Sequence, residues 1–85
     1  MYKIIIVEDE ALIRKGLRFS INWEEYGTTV VGEAENGKKG LELIEKTHPD
    51  IVITDVNMPL MSGIDMIKES IVEYKYQSII ILSPS

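Results

Sequence analysis

Two apolar runs in this sequence end on acids. Ile51-Val52-Ile53-Thr54 runs into Asp55, and Ile4-Ile5-Ile6-Val7 runs into Glu8, Asp9 and Glu10. A buried strand can deliver a carboxylate to the edge of a sheet only at its last residue, and the Val56-Asn57-Met58-Pro59 turn keeps Asp55 near solvent. If the two strands lie parallel and side by side, three or four carboxylates converge on one spot. Such a cluster is costly unless something cationic sits in it. A hard dication held by oxygen ligands would relieve the cost and let a carboxylate meet a phosphoryl group without mutual repulsion. The chemistry indicated is a metal-assisted phosphate site.

The rest of the chain must supply a scaffold for that site. Residues 2–7 read as a strand apolar on both faces, as in the middle of a parallel sheet. A helix is predicted from about Ala11 to Ile21, with Ile13, Leu17 and Ile21 inward and Lys15 and Arg18 away from that stripe. A connection follows over 22–27, whose Trp23 and Tyr26 read as loop packing rather than a ligand platform. The stretch Thr-Thr-Val-Val-Gly-Glu-Ala ending at Ala34 is a second strand, stopped by Asn36-Gly37. A second helix over about 38–46 turns Leu41 and Ile44 inward, and Thr47-His-Pro-Asp50 breaks it before the strand 51–54. The Gly37 to Gly40 region is helix entry, because it lacks the spacing of a Gly-rich phosphate loop. Ser62 caps a third helix with Asp65 three residues on, and Ile64, Ile67, Ile71 and Tyr74 form its stripe. Ser78 to Leu82 is a fourth strand, followed by Ser83-Pro84-Ser85. This βαβαβαβ order argues for α/β architecture with a parallel sheet and helices on both faces, whose sites lie beyond the carboxyl ends of the strands.

Composition narrows the function. Eighty-five residues make one small domain, and 45% hydrophobic with 27% charged residues is a globular balance. A formal charge of -5 argues against gripping nucleic acid or an anionic membrane. There is no cysteine, which removes disulfides and thiolate chemistry. The N-terminus lacks the pattern of a signal peptide, and no apolar run approaches a membrane span. The expectation is a soluble, cytoplasmic protein.

Together these residues resemble the receiver domain of two-component response regulators. The likeness is carried by Glu8-Asp9 after strand one, Asp55 after strand three, the Asp-Val-Asn-Met-Pro turn with Gly63 four beyond Pro59, and Ser83 after strand four. Val-Glu-Asp-Glu, Asn-Trp-Glu-Glu-Tyr-Gly and Val-Val-Gly-Glu-Ala-Glu-Asn-Gly are similar to the subgroup with a C-terminal AraC-type DNA-binding domain. The resemblance implies a flavodoxin-like, doubly wound sheet with strand order 2-1-3-4. It implies Asp55 as phosphoacceptor from a sensor histidine kinase, and Ser83 as a switch hydroxyl. Mg2+ would be held by Glu8, Asp9, Asp55 and the main chain of Asn57. Glu8 stands where the family more often has aspartate. The role is a switch for a transcriptional output rather than an enzyme.

Plainer readings stand beside these. Asp55 alone could cap the following turn, Ser83 could simply end a strand, and Glu10 suits a helix N-terminus. His48 beside Pro49 reads as a loop residue. A covalent phosphohydrolase would need a second acid two residues after Asp55, where Asn57 stands. Against the family's five strands and five helices, residues 1–85 read as a single receiver domain lacking the last strand and last two helices, with no residue for the lysine that pairs with the phosphoryl group. On that reading Ile4, Ile6, Val52 and Ile80, or their neighbours, would leave an apolar patch exposed, and the fourth strand would be an open edge. A homo-oligomer, or exchange of strand or face between copies, is then expected. The alternative function is an interaction or oligomerisation module without phospho-switching.

Overall fold

The computed structural model describes residues 1–58, 60–74 and 79–81. Strands β1 (Tyr2–Val7), β2 (Thr28–Ala34), β3 (Ile51–Thr54) and β4 (Ile79–Ile81) alternate with helices α1 (Ala11–Ser20), α2 (Gly37–Thr47) and α3 (Gly63–Tyr74), and a 3-10 turn spans Trp23–Tyr26. The sheet is parallel throughout, in the order β2-β1-β3-β4. This is the expected receiver-type topology.

Register decides which side chains share a face. Ile5 pairs with Val52 and Ile6 with Ile53. Because successive strand residues point to opposite faces, Ile5, Val7 and Val52 pack with Ala34, Ile44 and Met66 on the side of α2 and α3. Ile4, Ile6 and Ile53 pack on the other side against Leu17, Trp23 and Val30. The expectation that groups Val52 with Ile4 and Ile6 in one exposed patch is therefore corrected twice. Val52 lies on the opposite face, and all three are buried. Ile80's side chain lies outside the described residues.

Two helix stripes also differ from expectation. On α1, Leu17 reaches the core, but Ile13 is 40% and Ile21 38% exposed. The inner face of α1 is held instead by Leu17 and by Trp23, whose indole Nε1 donates to the Leu17 and Arg18 carbonyls at 3.2 Å. On α3, Met66 is wholly buried while Ile64 is 39% exposed. The helix approaches α2 closely because Gly40 leaves room for the Met66 sulfur; a Cβ on Gly40 would collide with it. That contact rotates Met66, Ile67 and Ser70 inward and Ile64 outward. The β1–β2 ladder slips by one residue at Val31, so Ile4 faces Val30 and Ile5 faces Gly32. Such a bulge bends the edge strand.

Candidate phosphoacceptor and metal site

The ends of β1 and β3 lie side by side. Asp55 donates its N–H to the Val7 carbonyl at 3.1 Å, and Glu8 donates to the Ala34 carbonyl at 3.0 Å. Both acids therefore occupy the last rungs of the parallel ladder. That is why two apolar runs ending in carboxylates become one acidic cluster. Carboxylate oxygens of Glu8, Asp9 and Asp55 lie within 4.8 Å of one another. Glu8 is only 3% and Asp55 1% exposed, whereas Asp9 faces solvent.

The loops on either side fix this arrangement. The Glu8 carboxylate accepts the Glu10 N–H at 3.0 Å, tying the β1–α1 junction to its own side chain. The Asp55 carboxylate accepts the Asn57 N–H at 3.2 Å, turning the chain sharply after β3. Thr54 donates its hydroxyl to the Asp55 carbonyl at 2.9 Å. Gly63 sits directly over that carbonyl, and its N–H donates to Val56 at 2.8 Å. A Cβ at Gly63 would overlap the Asp55 carbonyl oxygen. Ser62 caps α3, accepting the Asp65 N–H at 3.1 Å.

Burial pushes the Glu8 carboxyl above the ordinary carboxylate range, and its hydrogen bond to Asp9 and the negative charges of Asp55 and Asp9 push the same way. The Glu10 N–H offsets part of this. A buried acid raised by its neighbours is relieved by a cation. Three oxygen donors at this spacing, with one side open to solvent, fit a hard dication such as Mg2+ that keeps several waters. Glu8, Asp9 and Asp55 would hold it, and its chemistry would be to neutralise charge between a carboxylate and an incoming phosphoryl group.

The structure brings Glu8, Asp9 and Asp55 together and sets Asn57 against Asp55 through the main chain. Ser83 lies outside the described residues, as does Pro59. Glu10 stands at the N-terminus of α1 without a capping hydrogen bond from its side chain. His48 is the C-terminal cap of α2 in a left-handed conformation, donating its N–H to Ile44, and is far in role from the acidic cluster. Asn36 caps α2 by accepting the Lys39 N–H at 2.8 Å, so the Gly37 region is helix entry.

The sequence pattern singles out neither Arg14 nor Glu33, yet both adjoin the site. Glu33, near the end of β2, accepts from Arg14 at 3.2 Å, from Lys15 and from Arg18. Burial would raise the Glu33 carboxyl, but the hydrogen bonds and charges of Arg18 and Lys15 hold it below its ordinary range. The available signal was the pair Arg14 and Arg18, four apart on α1, since like charges at that spacing repel unless an anion lies between them.

No helix among the described residues is long and apolar enough to cross a membrane. Residues 4–85 match the family model of the response regulator receiver domain. The transcriptional regulatory protein YesN of Bacillus subtilis is 45% identical over 69 residues, covering 81% of this chain and 19% of that protein. YhcZ of the same organism, also named a transcriptional regulatory protein, is 43% identical over 81 residues, covering 95% of this chain and 37% of its own length. Among solved structures, the receiver domain of the response regulator AraT from Geobacillus stearothermophilus superposes with a TM-score of 0.89 at 36% identity, covering 96% of this chain and 64% of that one. A two-component transcriptional regulator AraC from Clostridium phytofermentans gives 0.86 at 33% identity, covering 98% of this chain and 67% of that one. This chain thus spans 19% and 37% of the lengths of these two curated relatives. With its parallel sheet, its acidic cluster at the strand ends and this match along nearly its whole length, the chain belongs to the response regulator receiver domain family.

Proposed function

We propose that residues 1–85 act as one phosphoacceptor domain of a cytoplasmic two-component system, with Asp55 taking a phosphoryl group from a sensor histidine kinase. An oxygen of the Asp55 carboxylate would attack phosphorus, forming the acyl phosphate P–O bond as the P–N bond of the phosphohistidine breaks and the imidazole takes up a proton. Glu8, Asp9, Asp55 and the Asn57 carbonyl would hold Mg2+ at the same place, and Ser83 would answer the new charge with its hydroxyl. The acyl phosphate carries about 1.5 to 2 negative charges where the carboxylate carried one, on the loop that joins β3 to α3. That change is the signal; its output would be transcription, in keeping with YesN and YhcZ being named transcriptional regulatory proteins. It would pass through an AraC-type DNA-binding domain, in keeping with the neighbour named AraC.

The observation that carries this reading is the convergence of the three carboxylates, two of them buried, at the carboxyl ends of β1 and β3. Incubation with acetyl phosphate or beryllofluoride and Mg2+, followed by intact mass or fluorine spectra, tests it. One phosphoryl equivalent on the wild type and none on Asp55→Ala is expected. An unmodified wild type favours the alternative of an interaction module without phospho-switching. Turnover of many equivalents of a phosphomonoester favours a hydrolase.

Self-association belongs to the same proposal. Among the described residues β4 has one neighbour, β3, and forms an edge of the sheet. Where no further strand covers it, such an edge at Ile79–Ile81 would be a template for pairing with a second copy. Light scattering that finds a compact monomer at all concentrations overturns this part.

A further inference from the structure

The Arg14 guanidinium spans two elements at once. Its Nη1 donates to the main-chain carbonyl of Glu8 at 2.7 Å, and its Nε donates to Glu33 Oε1 at 3.2 Å. The side chain is mostly buried, at 15% exposure. Glu8 is thereby held at three points: its N–H on Ala34, its carboxylate on the Glu10 N–H, and its carbonyl on Arg14. The third is the only one of these supplied by a side chain from the body of α1. It grips the peptide that joins Glu8 to Asp9, so it sets the direction from which both carboxylates leave the main chain.

We propose that Arg14 is a positioning residue for the acidic site, and that Glu33 holds Arg14 in place. A planar guanidinium can serve two acceptors in fixed relative geometry, which a lysine ammonium does less well. The contact is to a carbonyl oxygen and not to a metal-binding carboxylate, so Arg14 is a support for the ligands and does not compete for them. Partners of this kind hold metal ligands in orientation, and their loss typically weakens metal binding by about 10- to 100-fold. Lys15 and Arg18 also pair with Glu33, and among the described residues only Arg14 of the three donates to Glu8.

The sign of the effect separates positioning from general electrostatics. Removing a cation beside an acidic cluster would, through charge alone, tighten the binding of a dication. Positioning requires the opposite. This inference rests on the Mg2+ reading given above, and calorimetric titration of the metal-free chain with Mg2+ tests both. Arg14→Ala is expected to weaken Mg2+ about 10-fold, with Lys15→Ala and Arg18→Ala within about twofold of wild type or slightly tighter. Arg14→Lys keeps the charge and is expected to weaken binding as well, and it decides the matter if Arg14→Ala does not fold by circular dichroism. Equal or tighter binding by folded Arg14→Ala, or by Arg14→Lys where the alanine variant is unfolded, overturns the inference. So does an equal loss in Arg18→Ala. A wild type that binds no Mg2+ overturns the metal reading itself, and this one with it.

Discussion

Glu8 and Asp55 end neighbouring parallel strands and bring their carboxylates within 4.8 Å, with both residues almost wholly out of solvent. Two carboxylates at that spacing repel each other, and a cation beside them relieves the repulsion. Burial raises the Glu8 carboxyl first, and the negative neighbours add to it, so its folded pKa lies above its unfolded value. In the window between the two values the folded chain holds the extra proton, and stability falls as pH rises through it. Above the window, ionised Glu8 is a standing cost. Glu8→Gln keeps an oxygen to accept the Glu10 N–H and removes the charge. In metal-free buffer at neutral pH it should raise stability by roughly 1 kcal/mol, or about 4–8 °C in Tm for a chain of this size. The stabilisation by added Mg2+ should shrink in the same variant. A thermal melt with and without Mg2+ checks both, and a lower metal-free Tm would contradict the argument.

The loop over the site has little room. Gly63 rests on the Asp55 carbonyl, and a methyl group there would meet that oxygen and approach the Thr54 hydroxyl. Gly63→Ala should cost about 1–3 kcal/mol, the usual range for overpacking. Because the displaced group is the backbone of Asp55, modification by acetyl phosphate should slow as well. Denaturant unfolding alongside the rate of mass increase separates the two effects. An unchanged midpoint would mean that the loop moves aside freely.

Glu33 makes the opposite pH prediction from Glu8. Arg18 and Lys15 hold its folded pKa below 4.5 against the effect of burial. Its contribution to stability is therefore present above the unfolded pKa and is lost as pH falls through the folded one. Glu33→Gln should destabilise the chain at pH 7, and the gap between variant and wild type should close on acidification below 4.5. Urea midpoints across that range give the test. A gap that persists in acid would assign the loss to packing instead of charge.

The topology and the meeting of Glu8 with Asp55 were readable because each depends on a local pattern: an apolar run, an acid at its end, and alternation of strands with helices. The same logic fails where a residue answers to a partner far along the chain. Val52 looks interchangeable with Ile4 and Ile6 until the pairing of Ile5 with Val52 puts it on the other face. Periodicity cannot see that Gly40 admits the Met66 sulfur and so turns α3, leaving Ile64 half out. Glu33 was hidden for a similar reason. Its cations come from α1, at 15 to 19 residues' distance in sequence.

That rotation of α3 can be tested directly. Met66 is wholly buried between Gly40, Val7 and the rest of the cluster, whereas Ile64 is 39% exposed two residues earlier on the same helix. Truncating a fully buried side chain removes its transfer free energy and leaves a cavity, costing about 2–5 kcal/mol. At a half-exposed position most of that cost is absent, and about 1 kcal/mol or less is expected. Met66→Ala should therefore destabilise the chain several times more than Ile64→Ala. Both substitutions put alanine into a helix, so propensity does not favour one over the other by more than a few tenths of a kcal/mol. Parallel denaturant titrations of the two variants decide it. If Ile64→Ala proves the costlier, α3 presents the stripe that its periodicity suggests, and the close approach at Gly40 does not set its rotation.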